Sequence, residues 1–312
     1  MDLEHRIHKL VSSKNSYIHD DCAYLSKSHQ LISTDTLVEN VHFDLNHFDA
    51  SDIAHRLFVC NFSDIQSSGG YPQYALLNIS FPNKNFDITQ QIVKIFKKLL
   101  KKYNIKLIGG DTTSSSKIYL SSTFISRKII KTKIINRKNA KVGDSIYTFK
   151  NIGFSKLGYL SLFKKQYLNK KLLQKSKDQF FKPKIINYAN FFNRFKINSC
   201  MDISDSLHFS LNELSGQSKK KFLIDNLKDI TPLLFRNFNS NEYFSLVLSS
   251  GEEFMPVFTA KLTEQDIKFF KKNRINVIKI GSVQKGRGVI FKELNYLKDK
   301  TFSHFKNTYS SL

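Results

Sequence analysis

The sequence predicts a two-domain protein with α/β or α+β layering. Three observations lead there. A chain of 312 residues can bury a sizeable core and fill two domains. Its 41% apolar content belongs to a globular chain, not a disordered one. Strand-like, helix-like and Gly-rich segments alternate up to about residue 130, where a charged and irregular stretch, 128–144, interrupts them. The boundary is expected near residue 137, giving domains 1–136 and 137–312.

Taken in order, the chain opens on "MDLEHRIHKLVSSKNS", which is charged and has no apolar signal core. No apolar run is long enough to span a bilayer, so no membrane partner is expected. "LISTDTLVENVHF" (31–43) begins as an apolar strand at Leu31 and Ile32 and then meets Ser33, Thr34, Asp35 and Thr36. "YALLNISF" (74–81), "IYLSSTFIS" (118–126) and "SIYTF" (145–149) are strand-like. "ITQQIVKIFKKLLKKY" (88–103) is an amphipathic helix: Ile92, Phe96, Leu99, Leu100 and Tyr103 recur at helical spacing, and lysines cover the other side. Helices are expected around 155–168 and 170–180, and a strand at "FSLVLSSGEEF" (244–254). No internal repeat is visible. In the polar tail, Phe302 and Phe305 suggest docking.

The formal net charge of +23 invites a nucleic-acid or membrane-surface reading. The lysines are spread throughout, and the chain is rich in Lys, Asn, Ile and Phe with no Trp. That mixture fits AT-rich coding and a solvated surface, and no nucleic-acid partner is expected. Cys22, Cys60 and Cys200 are far apart and form no C-x-x-C, which fits a reducing, cytoplasmic setting.

The acidic residues carry the functional signal. "IHDDCAYL", "STDT", "VCNFSDIQSSGG", "KLIGGDTTSS" and "CMDISDSL" each set an aspartate beside an apolar run or a Gly/Ser-rich segment. A buried, unpaired carboxylate is expensive. Singly, each such aspartate fits a helix cap or a turn. Five such stretches in one chain fit a shared cleft that holds hard cations, because Mg²⁺ takes oxygen ligands and shares them with phosphates. Gly109 and Gly110 before Asp111 would let backbone approach a phosphate.

The stretches "HDDCAYL", "STDTLVENVHF", "NFSDIQSSGG", "LIGGDTT", "RKNAKVGDSIY", "MDISDSL", "SGEEF" and "FSHF" follow one another in an order that resembles the thiamine-monophosphate kinases, ATP-dependent enzymes of the aminoimidazole-ribonucleotide-synthetase-like superfamily. The resemblance spans roughly residues 19 to 305. It implies a two-domain α+β fold: an N-terminal mixed α/β domain that pairs its sheet with a second copy in a dimer barrel, and a C-terminal α/β sandwich-like domain closing a nucleotide cleft. It implies ATP as co-substrate, several Mg²⁺ ions, thiamine monophosphate as acceptor and thiamine diphosphate as product. By motif, Asp21, Ser33, Thr34, Asp35, Asp64, Asp111, Asp202 and Asp205 would be the metal set. Tyr103, Gly110, Asp111, Arg137 and Ser204 would touch ATP, and His42, Glu252 and Phe302 the thiamine phosphate. No general base is assigned, because the acceptor is already an anion.

Four positions depart from the family pattern. His19 stands in place of the glycine of Gly-Asp-Asp, and Ser206 in place of the glycine of Ser-Asp-Gly-Leu. Gly153-Phe154-Ser155 replaces Gly-Asp-Ser, and Glu252-Glu253-Phe254-Met255-Pro256 replaces an acidic-Tyr-Glu-Leu segment. Three alternatives stay open on the residues alone: another ATP-using member of the superfamily, a degenerate homologue, and a basic nucleic-acid-binding protein.

Overall fold

The structure is a computed structural model describing Ile7, Leu10 and residues 20–128, 134–164 and 168–293. His19 and Phe302, with the rest of the tail, lie outside the described residues. The described residues form two compact units. Residues 20–66 and 70–128 make the first; Ser67–Gly69, 134–164 and 168–293 make the second.

The first unit is a five-stranded sheet with two helices. Strands β1 (Ala23–Leu25), β2 (Gln30–Val38), β3 (Pro72–Phe81), β4 (Lys106–Ser114) and β5 (Tyr119–Ser126) lie in the order β1-β2-β5-β3-β4. β3 and β4 are parallel and the other neighbours antiparallel. Helices α1 (Ala50–Ser67) and α2 (Phe86–Lys102) cover one face. Phe124 of β5 turns inward and meets Phe58 of α1 and Phe96 of α2 at ring distances of 5.6 and 6.3 Å. The alternation in β5 is strict: Leu120, Ser122, Phe124 and Ser126 are buried and the residues between them are not. α2 matches the helix expected over 88–103, with Ile92, Phe96 and Leu100 buried.

β4 is different. All nine of its residues are exposed in the single chain, among them Leu107 and Ile108. Gly109 and Gly110 lie inside this strand. A Cβ on Gly110 would sit 1.8 Å from the Leu77 carbonyl oxygen, so only glycine lets β4 lie this close to β3. The opposite edge is also open. β1 pairs with Gln30–Ile32 alone, leaving Ser33–Val38 without a neighbouring strand on that side among the described residues.

The second unit holds a six-stranded sheet in the order β11-β8-β10-β6-β9-β7. The strands are β6 (Ser145–Phe149), β7 (Ile197–Asp202), β8 (Lys221–Ile224), β9 (Pro256–Ala260), β10 (Val277–Gln284) and β11 (Gly288–Phe291). Seven helices accompany them: α3 (Phe154–Phe163), α4 (Lys170–Phe181), α5 (Ala189–Phe192), α6 (Leu207–Ser218), α7 (Pro232–Phe235), α8 (Ser240–Leu248) and α9 (Glu264–Lys272). One continuous core runs from Ile146 and Phe149 through Leu211 and Val247 to Phe258 and Ile280.

The strand expected at 244–254 is overturned. Its first half is α8, then a loop leads into β9. Tyr243, Phe244, Leu246, Val247 and Leu248 are all buried, so apolar residues surround this short helix and imitate a buried strand. A sequence signal did exist: Asn239 and Glu242 form a reciprocal capping box at the helix start.

Candidate metal and phosphate site

In the first unit the carboxylates gather at the β2–α1 contact. Asp64 follows an apolar run and sits within helix α1, where the run Val59–Phe62 supplies core residues. Its carboxylate meets β2: Ser33 Oγ lies 2.5 Å from Asp64 Oδ2 and 3.0 Å from Asn61 Oδ1. A hydroxyl has one proton, and the shorter contact to the charged oxygen takes it. Asn61 in turn donates to Ser122 Oγ at 2.9 Å, tying α1 to β5. Asp21 brings a carboxylate oxygen within 4.8 Å of one from Asp64. Two like charges this close repel, and a hard cation between them removes the repulsion. Every donor in this group is oxygen, which fits Mg²⁺ and excludes a thiolate or imidazole site.

Side-chain alternation sorts the rest of "STDT". Ser33 and Asp35 share the face toward the helices. Thr34 points the other way; its hydroxyl lies 2.9 Å from Thr123 Oγ1 and donates to the Ser122 carbonyl at 3.3 Å. Thr36 likewise donates to Ser121 Oγ at 3.0 Å.

Register places Asp111 apart from this group. Asp35 stands opposite Ser122, Ser122 opposite Leu77, and Leu77 opposite Gly110. Gly110 is therefore three strand spacings from Asp35, about 14 Å. Asp111 is one residue further, opposite Asn78 and on the other face of the sheet. Its Oδ1 accepts from Thr112 N at 2.8 Å. One ion cannot bridge Asp35 and Asp111 of the same chain.

His42 folds back on β2. Its Nδ1 accepts from Val38 N at 3.0 Å, so in the neutral ring the proton sits on Nε2. Tyr103 caps α2 and packs its ring against Phe58 and Phe62, at 5.0 and 5.1 Å; burial raises its pKa.

In the second unit the end of β7 forms a laced loop. Asp202 is buried, and its carbonyl accepts from Ser210 Oγ at 2.9 Å. Ile203 N donates to Met255 O, Glu252 N to Ser204 O, and Glu253 N to Ile203 O. This holds Asp202, Ser204, Asp205 and Glu252 together. Gly251 is required here, because a Cβ would lie 2.4 Å from the Asp205 carbonyl oxygen. Glu252 takes a positive φ of 53°. Ser206, in the place of the family's glycine, is extended at φ −173° and caps α6, accepting from Phe209 N at 3.0 Å. The substitution therefore meets no backbone strain. Arg137 Nη1 lies 3.9 Å from Glu213 Oε2 on α6, and its carbonyl accepts from Ser218 Oγ.

Sequence reasoning missed Glu253. It is fully buried and accepts from Gly153 N at 2.7 Å, Ser250 Oγ at 2.6 Å, Ser155 N at 3.3 Å and Gln179 Nε2 at 3.2 Å. Burial pushes its pKa up to about 7 against these four donors. It thus fastens the Gly153-Phe154-Ser155 turn from behind.

Comparison with known proteins decides the family. The family model for AIR synthase related protein, N-terminal domain, matches residues 19–127. The thiamine-monophosphate kinase of Buchnera aphidicola from Schizaphis graminum is 34% identical over 88% of this chain and 86% of its own. The chain belongs to the thiamine-monophosphate kinase family. The thiamine-monophosphate kinase of Nitrosopumilus maritimus is 30% identical over 95% of both chains. A solved structure, AaThiL complexed with AMPPCP and TMP, superposes with a TM-score of 0.81 at 24% identity, covering 96% of this chain and 94% of that one, and shares the fold.

Proposed function

We propose that this chain transfers the γ-phosphate of ATP to the phosphate of thiamine monophosphate. A phosphate oxygen of the acceptor bonds to the γ-phosphorus as the bond to the bridging oxygen of ADP breaks, and thiamine diphosphate leaves. The observation carrying this reading is the Asp21–Asp64 pair with Ser33, an all-oxygen group whose charges demand cations. Of the metal set, Asp21, Ser33, Asp35, Asp64 and Asp111 belong to the first unit, and Asp202 and Asp205 to the second. Thr34 takes part through its main chain. When bound, Mg²⁺ neutralises the charge on the meeting phosphates. Gly110, Asp111, Tyr103, Arg137 and Ser204 position ATP. His42 Nε2–H donates to the acceptor phosphate, and Glu252 with Phe302 holds the thiamine end. No side chain has to remove a proton, because positioning and charge neutralisation dominate between two anions. Incubation with ATP, Mg²⁺ and thiamine monophosphate, followed by separation of the thiamine phosphates, tests this. Thiamine diphosphate should form, and free thiamine should not react. Equal use of free thiamine would overturn the reading.

We propose further that the enzyme is a homodimer whose first units close into a barrel, with β4 of one copy against the open edge of the other's β2. Exposed Leu107 and Ile108 on β4 support this, as does the open Ser33–Val38 edge. The pairing would lay the strand that carries Asp111 of one copy beside the strand that carries Asp35 of the other, two strands that are about 14 Å apart within a chain. Mixing inactive Asp35→Asn and Asp111→Asn chains tests it. Half of the dimers are mixed, and one of their two sites is intact, so roughly a quarter of wild-type activity should return. No recovery after subunit exchange would refute the shared site.

A further inference from the structure

We propose that Asn61 is a positioning residue for the metal site: its amide oxygen takes the Ser33 proton when a cation takes Asp64. The inference rests on the metal reading above and adds a residue to it. Asn61 precedes Asp64 by three residues, so both side chains leave the same side of α1. Ser33 stands opposite Phe124, and Asp35 opposite Ser122. Ser33 and Ser122 are therefore diagonal neighbours on the helix-facing side of the sheet, and Asn61 reaches both.

The orientation of the amide is the first observation. Ser122 Oγ donates to the Leu57 carbonyl at 3.2 Å. Its one proton is thereby engaged, so its oxygen can only accept, and Asn61 Nδ2 is the donor at 2.9 Å. With the nitrogen turned to Ser122, Asn61 Oδ1 faces Ser33 Oγ at 3.0 Å. The Ser33 proton meanwhile lies on the shorter contact, to Asp64 Oδ2 at 2.5 Å. Two oxygens thus face each other with no proton between them. A tie kept only to pack α1 on the sheet would turn an N–H toward Ser33. Ser122 prevents that.

Burial is the second observation. Asn61 and Ser122 are fully buried, and Ser33 nearly so. A hydroxyl this deep takes its acceptor from the protein. With a cation on Asp64, the Ser33 hydroxyl loses its first acceptor. It rotates about its Cβ–Oγ bond, breaking no covalent bond, and donates to Asn61 Oδ1 instead. That leaves the Asp64 oxygen to the cation. Without the amide oxygen, the displaced proton would be left unsatisfied in the interior, and it would compete with the cation for Asp64. Ser122 acts one step further back, by keeping the amide from flipping. In a flipped amide, Nδ2 would donate to Ser33 Oγ and lock the Ser33 proton on Asp64.

The test titrates the full chain with Mn²⁺ alone and follows the loss of the free-ion EPR signal, beside thermal melts without metal. Asn61→Leu keeps the size and removes the amide. Mn²⁺ affinity should fall roughly tenfold, the scale seen when a group behind a metal ligand is lost. Ser122→Ala frees the amide to flip and should weaken binding in the same direction, by less. Each change is then combined with Ser33→Ala. With no hydroxyl proton to receive, Asn61→Leu should cost nothing further, so the double variant should bind Mn²⁺ as Ser33→Ala alone does. A plain helix–sheet tie would lower the melting temperature and leave metal affinity per folded molecule unchanged. Wild-type affinity in Asn61→Leu, or additive losses in the double variant, would overturn the proposal. If Asn61→Leu does not fold, the same cycle with Ser122→Ala decides. Failure of the wild-type chain to bind Mn²⁺ would instead remove the metal reading itself, and this inference with it.

Discussion

Asp64 in the first unit and Glu253 in the second are both drawn in from solvent, and their surroundings differ in kind. Glu253 accepts from two backbone amides, a serine hydroxyl and a glutamine amide, all neutral and all belonging to the fold. Asp64 takes a hydroxyl from Ser33 but has a second carboxylate, Asp21, within 4.8 Å. A carboxylate kept for architecture is ringed by donors. One kept for chemistry is set beside like charge, an arrangement that favours the folded state only when a cation is shared. The two sites should therefore fail differently when altered.

The largest effect is expected at Asp64. Asp64→Asn keeps the shape and removes the charge. Turnover should fall by roughly 10²-fold or more, the scale seen when a transition-state charge stabiliser is lost. The fold should hold in the absence of metal, or melt slightly higher, because the repulsion from Asp21 is gone. Melts with and without Mg²⁺-ATP beside turnover assays check this. If the variant melts several degrees lower yet turns over normally per folded molecule, Asp64 is architectural and the contrast with Glu253 disappears.

Glu253 should report through stability and pH instead. Its folded pKa of about 7 exceeds the ordinary 4.5, so between those values the folded chain binds more protons than the unfolded one. Stability from this group is complete below about pH 4.5 and declines as pH rises to about 7, by on the order of 3 kcal/mol in all, and then levels off. Glu253→Gln keeps an acceptor for Gly153 N and Ser155 N and cannot ionise. Its melting temperature should decline less between pH 5 and 8 than that of wild type, with the Gln179 amide turned to suit. The difference between the two pH curves isolates this residue from all other carboxylates. Parallel curves would mean that Glu253 stays charged throughout and that its donors outweigh burial.

The contrast also explains what the sequence could disclose. The alternation of β5 and the stripe of α2 are legible because each element buries one face, and burial writes a period into the chain. α8 is not, because it is covered on nearly all sides and its period is lost. The aspartates of the metal set stand out because carboxylates beside apolar runs need a reason. Glu253 does not stand out: its four partners come from residues up to a hundred positions away, and nothing local marks it as buried. Nor could spacing show that Asp35 and Asp111 lie on opposite faces three strands apart, since that follows from register across β5 and β3.

The smallest effect is expected within "STDT" itself, where two adjacent hydroxyls should behave oppositely. Ser33 Oγ touches Asp64 on the helix-facing side of β2, and Thr34 Oγ1 touches Thr123 and Ser122 on the other. Thr34→Val keeps the branched shape and removes the hydroxyl. It gives up hydrogen bonds on an exposed face, a loss of about 1 kcal/mol or less in stability. The metal-facing side is untouched, so turnover should stay within about twofold of wild type, a change below 0.5 kcal/mol in the barrier. Ser33→Ala removes the donor that orients Asp64 and should raise the Mg²⁺ concentration needed for half-maximal rate by roughly tenfold, as loss of a group that orients a metal ligand does. Magnesium titrations of both variants at fixed ATP give the comparison. If Thr34→Val shifts the magnesium curve as far as Ser33→Ala does, the threonine hydroxyl reaches the metals, and the alternation read along β2 assigns it to the wrong face.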